Sequence, residues 1–148
     1  MATKGDARID LLGGVNLFRG CTAKELAKVV SLTTEIKVEP GQVLCREGES
    51  GHDFFIILEG EANVTIGGRQ IATLGPSQFF GEMALLDGGP RIATVAAATP
   101  MRLLALSRQE FKGVLGLFPR VTENMLAVIG SRLRATEAAL YGTTPIGV

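Results

Sequence analysis

Between Glu35 and Leu106 glycine and proline recur every few residues, and the apolar runs they separate are too short for anything but strands. Residues 35–39 alternate polar and apolar side chains, Pro40 and Gly41 turn the chain, and 43–46 resumes before Gly48 and Gly51. Residues 53–58 read as a buried apolar strand. Glu59 and Gly60 turn it into 61–66, and Gly67 with Gly68 is a hairpin signal leading to 70–74, which Gly75 and Pro76 end. Residues 92–97 and 101–106 are two further strands, parted by Thr99 and Pro100. So many short, punctuated strands imply a β-sandwich or barrel.

Helical patterns flank this region. Thr22 with Glu25 has the form of a capping box, and Leu26, Val29 and Val30 recur at helical spacing, which predicts a helix over 23–32. Ser107 with Glu110 repeats that signal and opens a helix that stops near Leu117, before Pro119. The last predicted helix covers 120–141. Its residues Leu126, Ile129, Leu133, Thr136 and Leu140 fall at alternating steps of three and four, a coiled-coil seam that either pairs two subunits or packs on its own β-domain. The first twenty residues form an apolar-dotted lead-in, with Leu11, Leu12, Val15, Leu17 and Phe18 available to pack. The tail GTTPIGV reads as short and loose.

The composition narrows the function classes. In 148 residues, Lys+Arg and Asp+Glu both number 15, so neither disorder nor a polyanion partner is suggested, and a basic nucleic-acid footprint is missing. Cys21 and Cys45 form no CxxC pair, which argues against a disulfide scaffold or a zinc site. No apolar run is long enough for a membrane span and the N-terminus lacks a signal-peptide core. The expectation is a soluble, cytoplasmic, single-domain chain over 1–148. His52 is the one histidine, and in the turn GESGHD it reads as an exposed loop residue. Ser-His, Cys-His and multi-histidine metal chemistry therefore have no basis here, and an enzyme is not expected.

Residues 79–96, FFGEMALLDGGPRIATVA, carry the chemistry. Gly81 lets backbone pass close to a ligand, and the first turn of the following helix leaves NH donors that favour a phosphate. Arg91 returns across the loop with a fork that matches two phosphate oxygens. A carboxylate beside such a site is costly unless it accepts from something, and ribose hydroxyls are suitable donors for Glu82.

These residues resemble the cyclic nucleotide-binding domain family over nearly the whole chain. The family's phosphate-binding cassette, F-G-E-x-A-L-x followed by G-x-P-R-x-A-T-V, is matched by 80–86 and 88–95. The resemblance implies an α+β fold. It comprises a helical N-terminal segment over 1–32, an antiparallel, jelly-roll-like β-roll over 33–107 with a short cassette helix, and two C-terminal helices over 108–141. It further implies that Arg91 holds a cyclic phosphate with backbone NH groups of Ala84 and Ile92, and that Glu82 and the Gly81 backbone accept from the ribose 2′-hydroxyl. Met83 and Ala93, between those groups, complete the cassette's ligand set. Val64, Ile71 and Leu74 align with positions that wall the ring system in the bacterial activator branch, or are ordinary core.

In this family a Thr or Ser after the cassette arginine often accompanies cGMP selectivity. Ile92 stands there, so cAMP is the expected ligand, with no metal, and a cGMP-preferring sensor is the alternative. The base is usually capped from the C-terminal helix. Thr136 resembles the position that reaches the purine amino group, and Arg132, one turn earlier, is placed to stack on the base. Thr136 as a merely polar seam residue is the competing reading.

The implied function is a regulatory sensor in which ligand orders the cassette and draws in the C-terminal helix, for an effector domain or partner that the sequence does not name. With only the tail after Tyr141, no output domain is expected within these residues, and neither direct nucleic-acid binding nor membrane insertion is expected of them. A homodimer through the C-terminal helix is the expected assembly. A degenerate, ligand-free interaction domain, in which Glu82 and Arg91 pair with each other, is the alternative.

Overall fold

The computed structural model describes residues 6–141, excluding the side chains of Met83, Ala84 and 139–141; the side chain of the seam residue Leu140 and the tail 142–148 thus lie outside what is described. Eight strands form two four-stranded antiparallel sheets, a β-roll. The strands are β1 Thr34–Val38, β2 Val43–Cys45, β3 Asp53–Glu59, β4 Ala62–Ile66, β5 Arg69–Leu74, β6 Phe79–Phe80, β7 Thr94–Ala97 and β8 Met101–Ser107. One sheet has the order β1-β8-β3-β6, the other β2-β7-β4-β5.

The apolar run of β3 is explained by burial on both of its faces. Phe55 and Ile57 point into the roll, where Val38, Ala62, Phe80, Val95 and Leu103 meet them. Phe54, Ile56 and Leu58 point outward onto helices, into a second core with Leu12, Phe18, Val29, Phe111 and Val121. The Phe54 ring stacks on Phe111 at 4.6 Å and Phe55 on Phe80 at 5.1 Å. A strand with helices on one side and a facing sheet on the other needs no polar face, so its sequence does not alternate.

The lead-in is more ordered than its glycines suggest. Helix α1 spans Ala7–Gly13, capped by Asp6, and a short 3-10 helix follows at Asn16–Phe18. Leu12, Leu17 and Phe18 are fully buried there, so tertiary packing overrides local glycine content. Helices α2 (Ala23–Leu32) and α4 (Arg108–Leu117) begin at the two capping boxes, both of which close reciprocally. Helix α3 is the short Glu82–Asp87, and α5 spans Pro119–Tyr141.

The packed stripe of α5 differs from the anticipated seam. Val121 and Met125 are buried, and Val128 and the seam residue Ile129 are partly so, whereas the seam residues Leu126 and Leu133 are 66% and 58% exposed. Steps of four and three from Val121 lead through Met125 and Val128 to Arg132, so the inward face of α5 ends on a cation. Two contacts anchor its first turns: Asn124 Nδ2 donates to the carbonyls of Leu17 (3.0 Å) and Arg19 (2.9 Å), and Arg120 donates to that of Gly20.

Candidate functional site

Strand β6 brings the cassette to the roll. Phe79 and Phe80 pair with Ile56 and Phe55 of β3, a two-residue strand too short to show in periodicity. Gly81 follows with φ +96°, which turns the chain into α3. After α3, Asp87 accepts from the Gly89 amide at 2.8 Å and closes the turn that delivers Arg91. Strand β7 begins at Thr94, two residues later than the apolar pattern indicates. Arg91 is instead pinned to the β2–β3 loop, its amide donating to the Glu49 carbonyl and its carbonyl accepting from the Gly48 amide, each at 2.8 Å.

The Arg91 side chain is buried at 8% exposure. Its Nη1 donates to the Gly81 carbonyl at 2.9 Å and its Nη2 to the Asp53 carbonyl at 2.6 Å. A planar guanidinium fixed by two carbonyls is held in one orientation without being neutralised, so its charge stays available to an anion. These backbone partners have no signature in side-chain identities, and sequence reasoning missed Gly48, Glu49 and Asp53 for that reason.

Glu82, 3% exposed, is the other buried charge among the described residues. Its carboxylate pairs with Arg132 of α5 and not with Arg91. Arg132 also donates to the Phe79 carbonyl at 3.2 Å, and its guanidinium lies over the Phe79 ring, 4.9 Å from the centroid. The cation–π capacity anticipated for a base is here used on the protein's own ring. Thr136, exposed, donates its hydroxyl to the Arg132 carbonyl at 3.0 Å.

The remaining residues of the set divide by exposure. Val64 and Leu74 are half-buried against the roll core, and Ala93 is half-buried. Ile71 and Ile92 are 54% and 65% exposed. Arg91 lines a cavity of about 200 Å³ together with Cys45, Arg46, Glu49, Ser50, His52 and Asp53 among others. Burial pushes the Cys45 thiol up to about 11, with the Arg91 charge pulling the other way. His52 is exposed in its loop.

With this geometry in view, the chain matches the description "Cyclic nucleotide-binding domain" over residues 35–116, more than half its length. The chain belongs to that family. Cyclic nucleotide-binding domains are ligand-binding regulatory modules and not enzymes. This domain is 38% identical over 113 residues to the cyclic nucleotide-gated potassium channel mll3241 of Mesorhizobium japonicum, covering 76% of this chain and 31% of the channel. In structure it is similar to the catabolite activator protein of Thermus thermophilus, with TM-score 0.79 and 31% identity over 84% of this chain and 61% of that one. It is also similar to the regulatory domain of Toxoplasma gondii PKA, crystallised with cAMP, with TM-score 0.67 and 33% identity over 75% and 44% of the two chains. The chain thus spans less than two thirds of these relatives. Among the described residues, no helix is long and apolar enough to cross a membrane.

Proposed function

We propose that this cyclic nucleotide-binding domain is a cytoplasmic cAMP sensor that passes ligand occupancy to an effector through α5. The observation that carries the reading is Arg91: buried, oriented by the Gly81 and Asp53 carbonyls, and left without a carboxylate partner among the described residues. A cation held that way repays its desolvation when it meets a phosphate. Glu82 supplies the acceptor for a ribose 2′-hydroxyl, and the backbone at Ala84 and Ile92 adds donors to the phosphate. Ile92 offers an apolar side chain where a guanine would need a hydroxyl, which favours adenine. The cAMP in the similar Toxoplasma structure supports the same choice.

Ile71, Val64 and Leu74 provide apolar wall for the purine, and Thr136 keeps acceptor lone pairs for its amino group. The exposed Leu126 and Leu133 on α5, seven residues apart, favour a homodimer through that helix. Calorimetric titration with cAMP and cGMP side by side, together with the mass in solution at both end points, tests the reading. Saturable binding with cAMP tighter than cGMP is the expected outcome; no binding of either nucleotide would remove it.

A further inference from the structure

The turn at the end of the β4–β5 hairpin overhangs the sheet that carries it. Strand β4 pairs with β7 as far as Thr65 opposite Thr94, the first residue of β7, so Ile66, Gly67, Gly68 and Arg69 extend past that neighbour. The β4–β5 ladder also breaks just below the turn. Val64 faces Ala72 and Thr65 faces Gln70, which leaves Ile71 as the extra residue of a β-bulge. A bulge interrupts the ladder and lets the strand bend, so the ladder alone does not fix where the turn and Ile71 sit.

The Glu47 side chain crosses to this overhang. Its carboxylate accepts from the Gly67 amide at 3.0 Å, a hydrogen bond strengthened by the carboxylate charge. The Glu47 amide donates to the Thr94 hydroxyl, also at 3.0 Å. Gly48 and Glu49, the next two residues, supply the backbone bonds that pin Arg91, and Ser50 then bridges Pro90. Glu47 therefore joins the hairpin turn to the same short loop that holds Arg91.

We propose that Glu47 is a positioning residue that sets the separation between Ile71 and Arg91, and through it the preference of the site for a purine over a smaller base. The proposal rests on the cyclic nucleotide reading above, in which Arg91 holds the phosphate and Ile71 belongs to the purine wall. A ribose of fixed size joins phosphate and base, so a wall that drifts from the arginine loses the base while the phosphate contacts persist. A purine presents more surface to that wall than a pyrimidine and loses more. The Glu47 charge acts separately: removing it from the loop that holds Arg91 favours every nucleotide phosphate alike and leaves the ratio between bases unchanged.

Glu47→Ala and Glu47→Gln both lose the charge, but glutamine keeps a side-chain oxygen that accepts from Gly67. Calorimetry with cAMP and cyclic CMP reads the ratio of the two affinities. That ratio should fall about three- to tenfold in Glu47→Ala and stay within about twofold of the parent in Glu47→Gln. Hydrogen exchange at the Gly67 amide, followed by NMR without nucleotide, should be about threefold or more faster in Glu47→Ala and close to the parent in Glu47→Gln.

A parent-like ratio in Glu47→Ala, an equal fall in Glu47→Gln, or unchanged exchange at Gly67 overturns the positioning role, and cAMP binding by the parent then leaves the sensor reading standing. Failure of the parent to bind cAMP overturns the sensor reading and the positioning role together.

Discussion

Gly81 and Arg91 lay claim to the same space. A Cβ added at Gly81 would lie 2.7 Å from Nη1 of Arg91 and 2.8 Å from the Asp53 carbonyl oxygen, at a backbone φ of +96°. The glycine is thus needed twice: once for a left-handed backbone and once to seat the guanidinium between two carbonyls. Gly81→Ala is expected to cost about 1–3 kcal/mol of stability by urea denaturation, and to weaken cAMP binding by displacing Arg91. A variant with parent-like denaturation midpoint and affinity would show that the backbone relaxes without moving the arginine.

Arg91 has a structural duty beside its proposed ligand one. Its removal leaves the Gly81 and Asp53 carbonyls without their donor, at about 1–3 kcal/mol for each buried group left unpaired. Arg91→Ala should accordingly lower the thermal midpoint even with no nucleotide present, and weaken cAMP about a hundredfold or more in calorimetry. Arg91→Lys separates the two duties, since it restores charge without the fork. Its affinity should lie between those of parent and Arg91→Ala.

The carboxamide of Asn124 ties α5 to the N-terminal helical layer through two carbonyls, those of Leu17 and Arg19. Asn124→Ala leaves the part-buried Leu17 carbonyl unpaired, and about 1–2 kcal/mol of destabilisation is expected in denaturant titration. The attachment of α5 to this layer would weaken as well, so hydrogen exchange across the first half of α5 should rise. Unchanged exchange there would mean that Val121 and Met125 suffice as the anchor.

Thiol chemistry offers a check on burial beside Arg91. With its thiol pushed up to about 11, Cys45 carries only about one thiolate in a thousand at pH 8. Cys21 is half-buried, and its thiol is raised from the ordinary range by burial too. Iodoacetamide followed by mass analysis should therefore find Cys21 modified well before Cys45 in the folded protein. Cys45 should gain reactivity about tenfold per pH unit until its pKa is reached, provided the fold persists. Comparable labelling of both cysteines at pH 8 would show that the roll opens at this end.

Much of the fold was legible because its signals are local. The capping boxes at Thr22 and Ser107 depend on residues three positions apart, and both helices start where those residues say. The hairpin at Gly67 and Gly68 joins β4 and β5 as its glycines predict. The helical lead-in over Ala7–Gly13 was implied by the family resemblance and not by local periodicity, because its order comes from burying Ile9 and Leu12 against distant elements. Strand β6 was missed for a similar reason: two residues carry no period, and pairing with β3 alone defines them.

By itself the sequence determined the inventory: the strand-rich roll between helices, and the glycine, acid and arginine of one cassette, whose spacing is read along the chain. Tertiary structure alone decided how those groups are partnered. Arg91 is oriented by Asp53, Glu49 and Gly48, which lie about forty residues away and act through backbone atoms that no side-chain identity reports. Glu82 is paired with Arg132, fifty positions along, because the packed stripe of α5 comes to its end beside the cassette. Hydrogen bonds and ion pairs depend on distance in space, and between residues so far apart in the chain only the closed fold sets that distance.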